Sequence, residues 1–116
     1  MQYRVTFTIG LDIDRKGMDI TPFTQTSIAI GLRQYMADNF GGATFVEGKG
    51  VWNGGPNNTT VSENVMMIVV DFWATGMDEI QHHAMELAQI AEQQAVHVSA
   101  IAVYAVDVSH RGVVTE

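Results

Sequence analysis

The stretch that decides the fold is VMMIVVDFWA, residues 65–74. It consists of β-branched, aromatic and methionine residues around one acid, Asp71, and contains neither glycine nor proline. The run is short for a globular helix, and a continuous apolar run of this kind is typical of a strand buried on both faces. We therefore predict a central strand here, and the other segments are interpreted by how they can lie beside it or pack across it.

The segments that precede this strand predict one further strand and a helix. Residues 2–13 alternate between apolar and polar side chains, and a period of two predicts a strand with one face in the core. Thr21 is a favourable N-cap, and Pro22 suits the first helical position. The glycine pair at 41 and 42 can end this helix by adopting left-handed backbone angles.

Residues 43–52 predict a second strand, irregular at its glycines and placed at a sheet edge. A polar turn over residues 53–60 then joins it to the central strand as a wide hairpin. We predict a bulge or kink at Gly48 and Gly50, because glycine inside a strand often marks one.

The segments after residue 74 predict a helix and a last strand. Thr75 and Asp78 have the spacing of a capping box, in which each side chain bonds the backbone N–H of the other residue. The helix is predicted to continue to about Ala95. Residues 98–108 predict the last strand, with a second acid, Asp107, near its end.

The order strand, helix, strand, strand, helix, strand predicts an α+β, ferredoxin-like βαββαβ domain that spans residues 1–116. In this topology the first and third strands are central, and both helices cover one face of a four-stranded antiparallel sheet. Met67, Val69 and Trp73 would share the other face. An uncovered apolar patch of this kind predicts a homodimer or a higher oligomer.

Composition restricts the partners and the compartment. Thirteen acids face six cations, giving a net charge of −7, so duplex nucleic acid is not an expected partner. The absence of cysteine excludes disulfides and thiolate metal sites. No apolar run is long enough for a membrane span, and no secretory signal is visible, so we expect a cytoplasmic protein. No phosphate-loop motif is present, and we expect no cofactor.

Part of the sequence resembles a family of small bacterial and phage-borne proteins of unknown function. The resemblance rests on residues 40–52 (FGGATFVEGKGVW), with a Gly-x-Trp after the second strand, and on residues 92–96 (EQQAV), a glutamine-rich helix end before the fourth strand. It implies the same ferredoxin-like fold. It implies no activity, because none is assigned to that family.

The most ligand-like neighbourhood surrounds a tryptophan near the predicted hairpin. Trp52 offers a flat face for a planar ring, and Lys49 adds a positive charge. The glycines let backbone N–H groups converge on an anion. Asparagines complete this neighbourhood at Asn53, Asn57 and Asn58. The alternative interpretation is a flexible hairpin whose tryptophan anchors a contact between subunits.

Two acids lie in strands that are otherwise apolar. A carboxylate in such surroundings has a raised pKa, which would suit Asp71 or Asp107 to general acid or base catalysis. The alternative is that Asp71 has a structural role, either paired with Arg4 or hydrogen-bonded at a subunit boundary. If a ligand binds at a subunit boundary, Asp71 and the nearby Trp73 are expected to contact it.

The second helix carries potential metal ligands at helical spacing: Glu79, His82, His83 and Glu86. Either i,i+4 pair could share a metal, with further ligands from His97, His110 or another subunit. No recognised metal motif is present, and we interpret these residues as a solvated polar helix face without a metal.

Three functions fit these observations. The first is a homo-oligomer that binds a small molecule, anionic or nucleotide-like, at a subunit boundary, as a phage protein that sequesters a signalling molecule would. The second is a small dimeric α+β-barrel enzyme that uses a buried aspartate or histidine. The third is an interaction or inhibitor module that docks on another protein. We favour binding without catalysis.

Overall fold

The computed structural model describes residues 1–53 and 56–103 and confirms the predicted order of elements. The strands are β1 (Gln2–Gly10), β2 (Thr44–Asn53), β3 (Thr60–Trp73) and β4 (His97–Ala102). The helices are α1 (Pro22–Phe40) and α2 (Met77–Ile90), and a short 3₁₀ turn covers Pro56–Asn58. The strands form one antiparallel sheet in the order β2-β3-β1-β4, so the ferredoxin-like α+β prediction is confirmed.

The two central strands are the two that the sequence predicts, β1 and β3. They pair along the whole of β1, from Gln2 opposite Trp73 to Gly10 opposite Val65. On β1 the side chains of Val5, Phe7 and Ile9 are fully buried, as the alternation predicts. The core between sheet and helices consists of these residues together with Ile20, Ile28, Leu32, Met36, Met66, Ile68, Val70, Ala74, Ile80, Leu87 and Ala91.

Helix α1 begins and ends as its sequence predicts. The hydroxyl of Thr21 accepts a hydrogen bond from the N–H of Thr24 at 3.2 Å, and Pro22 occupies the first turn. At the other end Gly41 has φ of 77°, and its N–H donates to the carbonyl of Ala37 at 3.0 Å. Glycine is favoured there because this conformation penalises a side chain.

Helix α2 differs from prediction at its start. The N-cap is Gly76 and no side chain caps it, so the predicted capping box of Thr75 and Asp78 is wrong. Instead the N–H of Thr75 donates to the carboxylate of Glu79 at 3.3 Å. The acid that bonds the backbone at the start of this helix is therefore Glu79, one residue after the Asp78 of the predicted capping box.

The same helix also ends earlier than predicted, at Ile90 rather than near Ala95. Glu92 adopts a left-handed conformation with φ of 55°, and the N–H of Gln93 donates to the carbonyl of Ala88 at 2.9 Å. This closure is typical of a Schellman motif. It occurs here without the glycine that would have revealed it in the sequence.

Strand β2 is an edge strand, as predicted, but it contains no bulge. Its pairing with β3 is unbroken from Thr44 opposite Val69 to Asn53 opposite Thr60. The pairing of β1 with β3 stops at Val65, so the far end of this hairpin extends as a two-stranded ribbon, residues 49–53 and 60–64. The glycines of β2 therefore serve another purpose than bending the strand.

Strand β4 runs from His97 to Ala102, and residues 104–108 of the predicted strand, including Asp107, lie outside the described residues. Of the two described helices, neither has the combination of length and hydropathy that a bilayer span requires.

The side of the sheet that faces away from the helices, called the open face below, carries large apolar side chains. Trp73 is 73% exposed there and Ile101 62% exposed, and Met67 and Val69 are half-buried. The register pairs Ile101 with Arg4 on this face. That another copy covers this face stays a prediction.

Candidate functional site

The strongest candidate site is a cavity at the base of the ribbon, called the ribbon cavity below. Its volume is about 280 Å³. Strands β1, β2, β3 and β4 and the α2–β4 connection all contribute to its lining: Thr8, Gly10, Trp52, Glu63, Val65, Gln93, Ala95 and His97. Residues distant in the sequence thus meet at one end of the open face.

Trp52 forms one wall of this cavity. Its ring stacks on that of His97, with ring centroids 5.5 Å apart and planes 16° from parallel. Because β3 and β1 lie between β2 and β4 in the sheet, this contact requires the ribbon to curl across the sheet end. Two-stranded ribbons twist more strongly than wide sheets, which permits that curl.

Two glycines allow this close packing. A Cβ atom at Gly50 would lie 2.5 Å from Cζ2 of Trp52, so the indole lies directly against the backbone of its own strand. A Cβ atom at Gly10 would lie 2.8 Å from Oε2 of Glu63. The glycines of this region are thus explained by the side chains that lie over them.

Glu63 is the acid of the ribbon cavity. The indole Nε1–H of Trp52 donates to Oε1 of Glu63 at 3.2 Å, which fixes the carboxylate against the ring edge. Among the described residues of the lining, Glu63 is the only acid, and neither lysine nor arginine is present. The cavity therefore favours a positively charged ligand over an anion.

The ribbon is held at its base by one aspartate. The carboxylate of Asp12 accepts from the backbone N–H of Asn64 at 2.8 Å and from its side-chain amide at 3.1 Å. The N–H of Leu11 also donates to the carbonyl of Asn64 at 2.9 Å. These bonds position the neighbouring Glu63 relative to the end of β1.

A second cavity, of about 540 Å³, lies toward the other end of the sheet and is called the Arg4 cavity below. Arg4 and Asp71 are directly paired there in the β1–β3 register. The guanidinium donates from Nε to Oδ1 at 2.9 Å and from Nη2 to Oδ2 at 3.0 Å.

This ion pair corrects one catalytic hypothesis. The hydrogen bond from Arg4 lowers the pKa of Asp71, and the same bond raises the pKa of Arg4. The raised pKa expected for Asp71 as a general acid or base is therefore wrong, and the alternative pairing with Arg4 is confirmed. The side chains are 57% and 36% exposed, so the pair contributes little to stability.

His83 is not part of a solvated helix face, contrary to the sequence interpretation. Its Nδ1 lies 2.7 Å from the hydroxyl of Tyr35, and its ring packs edge-on against Phe40 and Phe72. Burial is the largest cause that lowers the pKa of His83, and the charge of His82 adds to it. The neutral ring is thus favoured, and its Nδ1 shares one hydrogen bond with the Tyr35 hydroxyl.

The other potential metal ligands of α2 lie at the surface or bond the backbone. His82 is exposed, with Nε2 4.0 Å from Oε1 of Glu86, and Glu79 bonds the helix start. Within residues 1–53 and 56–103, no group of three or more histidine, aspartate or glutamate side chains could hold a metal ion. His110 lies outside this part of the chain.

The residues expected to bind ligand do not form one cluster. Trp52 lines the ribbon cavity and Asp71 the Arg4 cavity. Strand alternation places Lys49 and Asn53 on the opposite face of β2 from Trp52. The other three are exposed: Asn57 and Asn58 in the hairpin turn and Trp73 on the open face. The anion hypothesis loses its support, because Lys49 is not beside the tryptophan.

Glu63 and Gly10 were missed by sequence reasoning, and His97 was considered only as a metal ligand. A regular hairpin register would have revealed Glu63, because that register pairs Glu63 with Gly50, two residues before Trp52. The assumed bulge hid that pairing. No sequence signal marks the contact between Trp52 and His97, because it depends on the twist of the ribbon.

The amino-acid sequence matches no protein-family profile and no curated protein sequence. Solved structures of phage SAM lyases are similar to this chain. One, in complex with S-methyl-5'-thioadenosine, aligns with a TM-score of 0.54 and 23% identity over 86% of this chain and 80% of its own. Another, in the apo state, aligns with a TM-score of 0.48 and 23% identity over 85% and 78%. The first match supports the fold. It agrees with the resemblance to phage proteins as far as the fold is concerned.

Replacing Gly50 with Ala should displace Trp52 from His97. The added Cβ would meet the indole at 2.5 Å, and the ring must swing away because the backbone of β2 is held by β3. Tryptophan fluorescence, measured in a Trp73→Phe background so that one tryptophan reports, should shift toward that of a solvated indole. The unfolding midpoint should change little, since β2 is an edge strand.

Gly48→Ala is the matched control, because its Cβ would meet Val65 Cγ2 at an ordinary 3.7 Å. An equal spectral change in both variants would contradict the seating of Trp52 on Gly50.

Acidification should destabilise the protein through His83. In the unfolded chain histidine takes up a proton near pH 6.5, whereas the folded chain resists this because the pKa of His83 is lowered. Stability should therefore fall as pH decreases through about 6.5 and level off below the folded pKa. Urea unfolding across this range should show a weaker pH dependence in His83→Asn than in the wild type.

His82→Asn should retain most of the dependence, because it removes one cause of the lowered pKa and leaves burial intact. An unchanged pH dependence in His83→Asn would show that other groups cause it.

Proposed function

We propose that this protein binds a small, positively charged nucleoside in the ribbon cavity, at a boundary between copies of the chain. The observation that carries the proposal is the pairing of an aromatic face with a carboxylate, Trp52 with Glu63, in a cavity whose described lining contains neither lysine nor arginine. The candidate ligand is S-adenosylmethionine (SAM), which joins a planar base to a sulfonium cation.

Each part of such a ligand has a matching group. The sulfonium charge is attracted by the carboxylate of Glu63 and by the electron-rich face of the indole. The adenine can stack on the outer face of Trp52, which is 36% exposed. It cannot enter between Trp52 and His97, because their ring centroids are already 5.5 Å apart. The similar phage SAM lyase, whose structure is in complex with S-methyl-5'-thioadenosine, supports the same chemical class.

A second copy of the chain would complete the site. The ribbon cavity, at about 280 Å³, is at the lower limit of known ligand pockets, which start at roughly 300 Å³. It also lies on the open face, where Trp73 and Ile101 are exposed. Covering this face with another copy would bury the apolar side chains and add a wall to the cavity.

Cleavage of the bound sulfonium is a second candidate function, favoured by the likeness to a phage SAM lyase. The bond between sulfur and the amino-acid chain would break, and its electron pair would remain on sulfur to give neutral S-methyl-5'-thioadenosine. The four-carbon fragment would lose a proton or close on its own carboxylate, so no co-reactant is required. Loss of the positive charge would weaken the attraction to Glu63 and assist product release. If the protein binds SAM without cleaving it, its function would instead be to sequester SAM.

Glu63→Gln should lower the affinity for SAM about tenfold, equivalent to about 1.4 kcal/mol, because it removes a charged partner of the sulfonium. Its affinity for S-methyl-5'-thioadenosine should change little, because that thioether is neutral. Calorimetric titration measures both affinities, and chromatography of the incubated mixture detects any thioadenosine released. The matched control is Glu47→Gln, an exposed acid of β2 on the face opposite Trp52.

Failure of the wild-type protein to bind either compound would refute the nucleoside proposal and leave the interaction-module hypothesis. Equal losses of both ligands in Glu63→Gln would refute the role of the charge.

The chain should be a homo-oligomer, and Val69→Asp should dissociate or precipitate it. Val69 is half-buried on the open face, where a charge would oppose burial against another copy. Native mass spectrometry should give a multiple of 12.7 kDa for the wild type. Thr26→Asp, an exposed change on α1, should leave the mass unaltered. A wild-type mass of one chain at micromolar concentration would contradict the prediction.

A further inference from the structure

We infer that Gln93 is a specificity-determining residue of the ribbon cavity, where its side-chain carbonyl accepts a hydrogen bond from a ribose hydroxyl of the ligand. This inference rests on the proposed function, because it assigns the sugar that joins the sulfonium at Glu63 to the base at Trp52. It also gives a role to the glutamine-rich segment EQQAV, residues 92–96.

The carboxamide of Gln93 is held in one orientation. Its Nε2 donates to the carbonyl of Ile13 at 2.8 Å and to the carbonyl of Ala91 at 3.3 Å. The reverse orientation would direct Oε1 at two carbonyl oxygens with no proton between them, so the two acceptors identify the nitrogen. Both N–H groups of the amide are therefore occupied, and Oε1 is the polar atom that remains for a ligand.

The backbone of Gln93 is fixed as well. Its N–H donates to the carbonyl of Ala88 at 2.9 Å, in the closure that ends α2. The preceding carbonyl, that of Glu92, accepts from the N–H of Arg15 at 2.7 Å. The residue is thus tied both to its own helix and to the segment that follows β1, and its side-chain carbonyl needs little further ordering to bind a ligand.

The side-chain oxygen of Gln93 is available. None of the described residues donates a hydrogen bond to Oε1, and solvent reaches it, because residues 1–53 and 56–103 contain no buried side-chain oxygen without a partner. Gln93 is half-buried in the lining of the ribbon cavity. A ligand that covers this oxygen displaces its water, and affinity is lost unless the ligand supplies a donor.

The chemistry of the proposed ligand brings ribose into this cavity. In SAM the sulfur is bonded directly to C5' of the ribose, so a sulfonium beside Glu63 brings the sugar hydroxyls into the same cavity of about 280 Å³. The hydroxyl of Thr8 and the imidazole of His97, which also line it, can each donate or accept. Gln93 is the neutral group of the described lining that requires a donor, and a ribose hydroxyl supplies one.

The test uses S-methyl-5'-thioadenosine and its analogue in which fluorine replaces both ribose hydroxyls. Both compounds are neutral and carry the same base, but fluorine cannot donate a hydrogen bond. By calorimetric titration the wild-type protein should bind the hydroxyl compound about tenfold more tightly, because the fluorinated one leaves the acceptor unpaired. In Gln93→Met, which keeps the length of the side chain but removes its carbonyl, this preference should fall to about one, while the affinity for the fluorinated compound is retained.

Gln94→Met is the matched control, because Gln94 is exposed and lines a different cavity, between α2 and β4. It should keep the preference of the wild type. Binding of the fluorinated compound shows that Gln93→Met is folded. If that variant binds neither compound, Gln93→Asn is the substitute, because it keeps a carboxamide but withdraws the oxygen by one carbon–carbon bond, and it too should lose the preference.

The outcomes separate the two proposals. Equal affinity of the wild type for both compounds, or an unchanged preference in Gln93→Met, would overturn the ribose contact and leave the nucleoside site standing. So would a Gln93→Met variant that alters only the binding of S-adenosyl-L-homocysteine relative to S-methyl-5'-thioadenosine, since Gln93 would then contact the amino-acid group. Failure of the wild type to bind either compound would overturn the proposed function and this inference with it.

Discussion

The pairing of β1 with β3 is the interaction on which the rest of the structure depends. Its register, from Gln2 opposite Trp73 to Gly10 opposite Val65, places the buried side chains of both strands under the helices. The same register places Arg4 beside Asp71 on the open face and leaves the start of β3 to pair with β2 alone. A shift of one residue would exchange the two faces and remove both the core and the candidate site.

Elements with a local physical cause could be predicted from the sequence. The alternation of β1, the apolar run of β3 and the caps of α1 at Thr21 and Gly41 each depend on neighbouring residues alone. The order of these elements then implied the ferredoxin-like arrangement, because few topologies accommodate it. The open apolar face followed from the same argument, since two helices cover one side of the sheet.

The candidate site could be predicted only in part, because its contacts depend on three-dimensional twist and register. Trp52 was recognised as an exposed ring near a hairpin, but its partners Glu63 and His97 lie 11 and 45 positions away in the numbering of the chain. The glycines of β2 were interpreted as a kink, whereas one of them accommodates the indole. The early end of α2 was missed because Glu92 adopts the conformation usually taken by glycine.

The packing of Trp52 has a thermodynamic consequence for any ligand. Its indole is held by the hydrogen bond to Glu63, by the ring of His97 and by the backbone at Gly50 before a ligand arrives. Ordering a flexible side chain on binding costs about 0.5–1.5 kcal/mol, and here that cost has already been met during folding. The cavity wall is preorganised, so binding of the proposed ligand would require the ordering of the ligand itself but not of the aromatic surface that it would contact.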